Sequence, residues 1–205
     1  MQDFTFKFNY TYTTVGVIGQ SRSGKSYQTS RLCALADKRC SVLAAYPDQR
    51  AQFSDYSNDI KIAGDREFNA QAVSNFIEQR IRHRYWLLVF DDLDYFIHHE
   101  NESELLTNLP IASKGHWLHG NIWQSRRVIN LPYELVQNSD YMIFAYGVAR
   151  QDYKKLEEYA GLDLDLYSQV RPPVRNTQDP RKLAYAEFVL LERETGLQKI
   201  ISGVS

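Results

Sequence analysis

Short continuous runs of apolar residues recur along this chain, and stretches with helical spacing separate them. Continuous apolar runs predict strands that are buried on both faces of a sheet. Apolar residues that recur every three or four positions predict amphipathic helices. The predicted strands are residues 15–18, 41–46, 60–62, 86–90, 120–124 and 141–145, and the predicted helices are residues 26–36, 68–82, 104–113, 131–137 and 152–159.

This alternation of strands and helices predicts the fold class. Helical crossovers between strands indicate an α/β fold with a doubly wound, mainly parallel sheet and helices on both faces. At the N-terminus, every second residue from Phe4 to Tyr12 is aromatic, which predicts a β arm over about residues 1–13. Near the C-terminus, residues 184–191 and 197–201 flank a turn and predict a β-hairpin.

Composition narrows the class of protein. The chain has 205 residues, 43% hydrophobic and 24% charged, which predicts one globular domain over residues 1–205. A net charge of −1 means that any contact with nucleic acid must use local patches. Cys33 and Cys40 form no CxxC motif, so we expect free thiols and a reducing compartment. With no signal-peptide core and no apolar run of the ~18 residues that a membrane span needs, we expect an intracellular protein without its own transmembrane segment.

Candidate chemistry appears first between the first strand and the first helix. Residues 19–26 read Gly-Gln-Ser-Arg-Ser-Gly-Lys-Ser, which fits the phosphate-binding pattern G-x-x-x-x-G-K-[ST]. Glycine lets successive N–H groups turn towards a triphosphate, Lys25 can reach its β- and γ-oxygens, and the Ser26 hydroxyl can bind Mg²⁺. The following helix adds the positive end of its dipole. We therefore predict a site for ATP and Mg²⁺ that is formed by Gly19, Gln20, Ser21, Arg22, Ser23, Gly24, Lys25, Ser26 and Tyr27.

A second candidate site follows the apolar run 86–90, which ends in an aspartate pair. Ligands of such sheets sit at the carboxyl ends of the strands. Asp91 is predicted to hold the Mg²⁺ shell directly or through water, and Asp92 to orient or deprotonate the attacking water. Asp94 is a further acidic candidate for these roles. The alternative is that these are solvated carboxylates that cap the next helix.

A third signal is the strand that ends in Gln124. Its neutral amide can donate a hydrogen bond to a γ-phosphate or to the attacking water. Arg126 and Arg127 follow, and they can reach a phosphate or a neighbouring subunit. The alternative for both arginines is a solvated surface position.

Together, the three segments resemble the FtsK/HerA branch of P-loop ATPases. The resemblance extends through Leu131-Pro132 and Asn138-Ser139-Asp140-Tyr141, and it spans about residues 14–150. The compact size is similar to that of the genome-packaging ATPases of tailless, membrane-containing double-stranded DNA viruses. Trp123 and Ser125 depart from the Thr/Ser-Gln-Arg pattern of that family.

The resemblance implies a homo-oligomeric ring, hexameric or pentameric, that hydrolyses ATP and pulls double-stranded DNA through its centre. It implies a capsid vertex or membrane-associated portal proteins as partners, and a location in the cytoplasm of an infected host cell, in the virion, or in both. Arg150, just past strand 141–145, matches the family's arginine that completes the site of the adjacent subunit; Arg126 and Arg127 are the other candidates. The predicted catalytic residues are Lys25, Asp92, Gln124 and Arg150.

Other functions remain open at this stage. A P-loop ATPase of phage morphogenesis or secretion is one, although such proteins usually carry a transmembrane segment. A small-molecule kinase is another, although residues 124–140 do not resemble an arginine-rich lid. A nucleotide-binding module without hydrolysis is the third.

Overall fold

The computed structural model describes residues 6–62, 76, 78–80, 85–96, 119–128, 131–178 and 183–204. In these residues a single sheet contains nine strands. The strands are β1 (Thr14–Ile18), β2 (Cys40–Ala44), β3 (Asp59–Ile62), β4 (Trp86–Phe90), β5 (His119–Ser125), β6 (Tyr141–Ala145), β7 (Val174–Arg175), β8 (Leu183–Glu192) and β9 (Gln198–Val204). The helices are α1 (Lys25–Ala34), α2 (Gln49–Phe53), α3 (Leu93–Phe96), α4 (Tyr133–Gln137), α5 (Tyr153–Lys155) and α6 (Leu164–Tyr167), with a 3₁₀ turn at Arg150–Asp152 and a π-helical turn at Leu156–Ala160.

The strand order is β3-β2-β4-β5-β1-β6-β8-β7, and β9 pairs with β8. The six strands from β3 to β6 are parallel, whereas β7, β8 and β9 pair antiparallel. The predicted α/β class with a mainly parallel sheet and a C-terminal hairpin is therefore confirmed. Because β5 lies between β1 and β4, the segments that follow these strands meet at one edge of the sheet.

Both faces of the sheet are covered, which explains the continuous apolar runs. Adjacent residues of β1 belong to different clusters: Val17 packs with Leu32 and Cys33 of α1, and Ile18 packs on the opposite face with Leu135 of α4. A strand that is buried on both sides needs apolar residues at consecutive positions. The consecutive apolar residues of each central strand therefore follow from its burial on both faces of a doubly wound sheet.

Close packing across β1 depends on one glycine. A β-carbon on Gly16 would lie 2.2 Å from Cζ2 of Trp123 and 2.6 Å from Sδ of Met142. Trp123 is 1% exposed, and its indole N–H donates to the Ser139 hydroxyl at 3.0 Å. Only glycine leaves room for this ring beside the strand that leads into the phosphate loop.

The predicted N-terminal β arm is wrong for residues 6–13, which form no strand. Asn9 Oδ1 instead accepts hydrogen bonds from the backbone N–H and the hydroxyl of Thr11, and a turn follows. Asparagine favours such turns because its side chain competes with backbone partners. The aromatic alternation still had a packing cause, since Phe6, Phe8 and Tyr10 lie against the core.

The helix predictions were confirmed in part. Residues 152–159 do form helical turns, which end at Gly161 with φ 74°, and residues 76 and 78–80 are helical as predicted. The rest of the predicted helix 68–82 lies outside the described residues, as does all of the predicted helix 104–113. None of the described helices is long and apolar enough to span a membrane.

Candidate active site

The phosphate loop connects β1 to α1 and is fixed at both ends. At its start, the Gly19 N–H donates to the Ser125 carbonyl at 3.1 Å. At its end, Gly24 has φ 96°, and a β-carbon there would lie 3.0 Å from Leu183 Cδ1, so both conformation and space favour glycine. No side chain caps α1. The first N–H groups of this helix are therefore available to an anion.

Lys25 begins α1 and folds back over the loop. Its ammonium donates to the carbonyls of Gly19 at 2.7 Å and Gln20 at 3.0 Å, and the residue is 5% exposed. Burial lowers the pKa of Lys25, whereas the nearby carboxylates of Asp92 and Asp91 oppose this shift. A buried ammonium held only by backbone carbonyls can turn to phosphate oxygens, which are stronger partners.

Asp91 leaves β4 as an almost fully buried carboxyl group. It is 1% exposed, and neither oxygen has a hydrogen-bond partner in the described part of the chain. Burial raises the pKa of Asp91 to about 8, and the charge of Asp92 adds to the rise. Burying a carboxylate without a partner costs roughly several kcal/mol unless a nearby cation compensates the charge. The donor set of Asp91 and the Ser26 hydroxyl therefore fits a hard cation such as Mg²⁺.

Asp92 adopts a different backbone conformation from Asp91, with φ 52°. Its Oδ2 accepts a hydrogen bond from Nε2 of Gln49 at 3.0 Å. The other end of the same amide is also held, since Gln49 Oε1 accepts from the Tyr46 N–H at 2.7 Å. Sequence reasoning missed Gln49 because no motif marks the segment that follows β2.

Gln124 is completely buried at the end of β5, between the phosphate loop and the acidic pair. Its Oε1 accepts a hydrogen bond from the Ser26 hydroxyl at 3.4 Å, and its Nε2 has no partner in the described residues. A buried amide N–H without a partner is costly, so this donor suits a ligand that arrives at the loop.

Asp94 and Arg126 bind each other. Asp94 is 2% exposed, and its carboxylate accepts from the backbone N–H of Arg126 at 3.2 Å and from its Nε at 3.1 Å. Asp94, the further acidic candidate from the sequence, is thus engaged in an ion pair, and Arg126 is held within its own subunit.

Arg127 is engaged in the same way. Its Nε and Nη2 bind the two carboxylate oxygens of Asp152 at 2.9 and 3.2 Å, and Asp152 is completely buried. Arg150 is different, because it is exposed and its side chain makes no hydrogen bond or ion pair with the described residues. Of the three candidate arginines, Arg150 is the one whose side chain has no partner among the described residues.

The other predicted loop residues lie along the same loop. Ser21 and Arg22 are exposed, and Gln20 lies beside Gly147, which follows β6. Ser23 is buried and its hydroxyl has no hydrogen-bond partner among the described residues, and Tyr27 is half-buried in α1. The structure therefore brings all predicted site residues except Arg150 to the phosphate loop or to the ends of β5 and β4, and Arg150 follows β6 at the same sheet edge. Their individual roles stay predictions.

No protein-family model and no curated protein matches the chain, but solved structures do. The DNA-packaging ATPase B204 of Sulfolobus Turreted Icosahedral Virus has 19% sequence identity and a TM-score of 0.64, over 94% of this chain and 98% of that chain. The genome packaging NTPase B204 of Sulfolobus turreted icosahedral virus 2, in complex with ATP-gammaS, has 14% identity and a TM-score of 0.66, over 95% and 98%. EssC (ATPases 2 and 3) of Geobacillus thermodenitrificans has 15% identity and a TM-score of 0.55, over 89% and 38%. These likenesses, together with the phosphate loop at the end of β1, give this chain the P-loop NTPase fold that B204 and EssC share.

Proposed function

We propose that this chain hydrolyses ATP and uses the energy to move double-stranded DNA, packaging a viral genome into a preformed capsid. The observation that carries the proposal is the convergence of Lys25, Asp91 and Gln124 on one phosphate loop. All three are buried; Asp91 and Gln124 carry polar atoms without a partner among the described residues, and the Lys25 ammonium is hydrogen-bonded to backbone carbonyls. A triphosphate with its Mg²⁺ would satisfy all of them at once.

Each residue has a distinct role in hydrolysis. Lys25 exchanges the carbonyls of Gly19 and Gln20 for the β- and γ-phosphate oxygens of ATP. Ser26 and Asp91 would hold the Mg²⁺ that enters with ATP and neutralises charge on the phosphates. Asp92 accepts a proton from the attacking water, and Gln124 Nε2 donates to the γ-phosphate or to that water.

Arg150 acts on the neighbouring subunit of a hexameric or pentameric ring. An exposed guanidinium at the sheet edge that carries the site can enter the site of the next subunit. There it stabilises the charge of the transferred phosphoryl group, an effect of about 10³-fold or more on turnover in other NTPases. Completion of each site by the next subunit makes hydrolysis depend on ring assembly.

The packaging role is supported by the match to B204. The likeness covers 94–95% of this chain and 98% of the B204 chains. The partners in this proposal are double-stranded DNA and a capsid vertex or membrane-associated portal proteins. The protein then works in the cytoplasm of an infected host cell, in the virion, or in both.

A second candidate is a motor that drives secretion or phage morphogenesis. The likeness to EssC supports it, although that match spans only 38% of the EssC chain. The two candidates share the ATP site and differ in what the ring moves.

The test is ATP turnover by the purified protein with and without double-stranded DNA, combined with mass measurement of the assembly. Lys25→Ala is the control for contaminating ATPases. We expect a ring whose turnover rises with DNA. A ring that turns over ATP but does not respond to DNA favours the secretion candidate. A monomer that releases ADP only with a small acceptor molecule contradicts both and favours a kinase.

A further inference from the structure

The backbone around Arg150 is anchored on both sides. Before it, the Tyr167 hydroxyl accepts from the Val148 N–H at 2.9 Å and donates to the Ala145 carbonyl at 2.8 Å. After it, the buried carboxylate of Asp152 is bound by Arg127. Arg150 itself stays exposed between these two anchors. Two buried contacts thus fix the backbone on either side of a residue whose side chain makes no hydrogen bond or ion pair with the described residues.

The anchor at Asp152 is the stronger of the two. Arg127 binds both carboxylate oxygens, and bidentate bonds between charged groups fix direction as well as distance. In the orientation that satisfies both ends of its amide, Gln151 Oε1 also accepts from Arg127 Nη1 at 2.8 Å. Because Asp152 is completely buried, separating the pair would leave an uncompensated charge inside the protein.

Arg127 is also connected by hydrogen bonds to the segment beside the phosphate loop. Arg127 lies three residues after Gln124, and the turn between them is closed by Ser125. The Ser125 hydroxyl donates to the Arg127 carbonyl at 2.8 Å and accepts from the Arg127 N–H at 3.1 Å. The Ser125 carbonyl accepts from the Gly19 N–H at the start of the phosphate loop. Hydrogen bonds therefore connect the phosphate loop to Arg127 through Ser125.

We propose that Arg127 is a positioning residue. Through Asp152, Arg127 sets where Arg150 is presented to the next subunit. Through Ser125, Arg127 makes the position of Arg150 depend on the phosphate loop of its own subunit. This inference rests on the proposed function, since it needs a ring in which Arg150 acts on a neighbour. It assigns to Arg127 a role within its subunit and removes it from the candidates that enter the neighbouring site.

The first test is Arg127→Ala. We expect turnover to fall about 100-fold while the KM for ATP is unchanged, because a group displaced by about an ångström loses that much. Mixing Arg127→Ala with inactive Lys25→Ala subunits should restore part of the activity, since about a quarter of the interfaces in a randomly mixed ring then combine an intact phosphate loop with an Arg150 that is held by an intact Arg127–Asp152 pair. No restoration would mean that Arg127 acts on its own site, and it would overturn the proposal.

The second test separates positioning from direct insertion. If Arg127 itself entered the neighbouring site, Asp152→Ala would release it and leave turnover intact. Under the proposal, Asp152→Ala has the same defect as Arg127→Ala, the double variant is no worse than either single variant, and mixing with Lys25→Ala restores each. Full activity of Asp152→Ala would overturn the proposal.

Loss of folding is controlled in two ways. Arg127→Met combined with Asp152→Asn removes the ion pair without leaving a buried charge, so it should fold and still show the defect. Arg80→Ala breaks another bidentate ion pair, with Asp59 at the opposite sheet edge, and its turnover per ring should equal that of the wild type. A double variant that folds and turns over ATP like the wild type would refute the positioning role.

Failure of the proposed function gives a different result. If the wild-type protein shows no turnover above Lys25→Ala, the ATPase assignment is wrong. If the wild type is active and Arg150→Ala is rescued by Lys25→Ala whereas Arg127→Ala is not, only the role of Arg127 is wrong.

Discussion

The buried carboxyl group of Asp91 should make the stability of the nucleotide-free protein fall as pH rises. The group is 1% exposed and has no hydrogen-bond partner among the described residues, so its charged form is poorly tolerated without Mg²⁺. Replacement by asparagine removes the charge and keeps nearly the same shape. We therefore expect Asp91→Asn to become more stable, relative to the wild type, as the pH is raised.

The magnitude follows from the pKa of Asp91, which burial raises from 3.8 to about 8. A raised pKa means that the folded protein keeps a proton which the unfolded chain has already released. The contribution of this proton to stability is complete below about pH 4 and is lost as pH rises to about pH 8. Between about pH 5 and about pH 9, the difference in free energy of unfolding between the variant and the wild type should grow by about 4 kcal/mol.

The assay is denaturant unfolding of both proteins at several pH values, in chelator and without nucleotide. Only the pH dependence of the difference in free energy of unfolding between variant and wild type is diagnostic, because the asparagine amide adds a cost of its own that does not vary with pH. Asp59→Asn is the matched control: its carboxylate is ion-paired with Arg80, so this variant should gain no stability over the wild type with rising pH. A flat difference for Asp91→Asn would refute the reasoning.

Further outcomes are expected for the site and for the core. Lys25→Ala should abolish ATP hydrolysis and sharply weaken ATP binding in calorimetry, because the β- and γ-phosphates lose their buried cation; unchanged turnover would remove Lys25 from the site. Asp92→Asn should still bind ATP with Mg²⁺ while hydrolysis falls by orders of magnitude, and normal hydrolysis would require another base. Gly16→Ala should lower the free energy of unfolding by roughly 1–3 kcal/mol, since its β-carbon would overlap the Trp123 ring; wild-type stability in thermal melts would contradict the packing argument.

The sequence by itself determined the phosphate loop and the nature of the sheet. The loop could be predicted because its chemistry depends on backbone conformation and on side chains that are close along the chain, as in Gly24, Lys25 and Ser26. The central strands could be predicted because burial on two faces demands apolar residues at consecutive positions, as in Trp86–Phe90. The prediction of an N-terminal β arm was wrong for a related reason. The aromatic alternation reflects packing against the core, whereas the hydrogen bonds of the Asn9 side chain determine the backbone conformation there.

Only the tertiary structure decided which distant residues meet. The position of β5 between β1 and β4 brings Gln124 to Ser26, and no local pattern specifies that order of strands. The contact of Gln49 with Asp92 and the pairing of Arg127 with Asp152 join segments that are far apart in sequence. From the sequence, the family resemblance favoured Arg150 and left Arg126 and Arg127 as the other candidates. Burial separated them, because a buried aspartate must be compensated, and Asp94 and Asp152 bind Arg126 and Arg127 but leave Arg150 exposed.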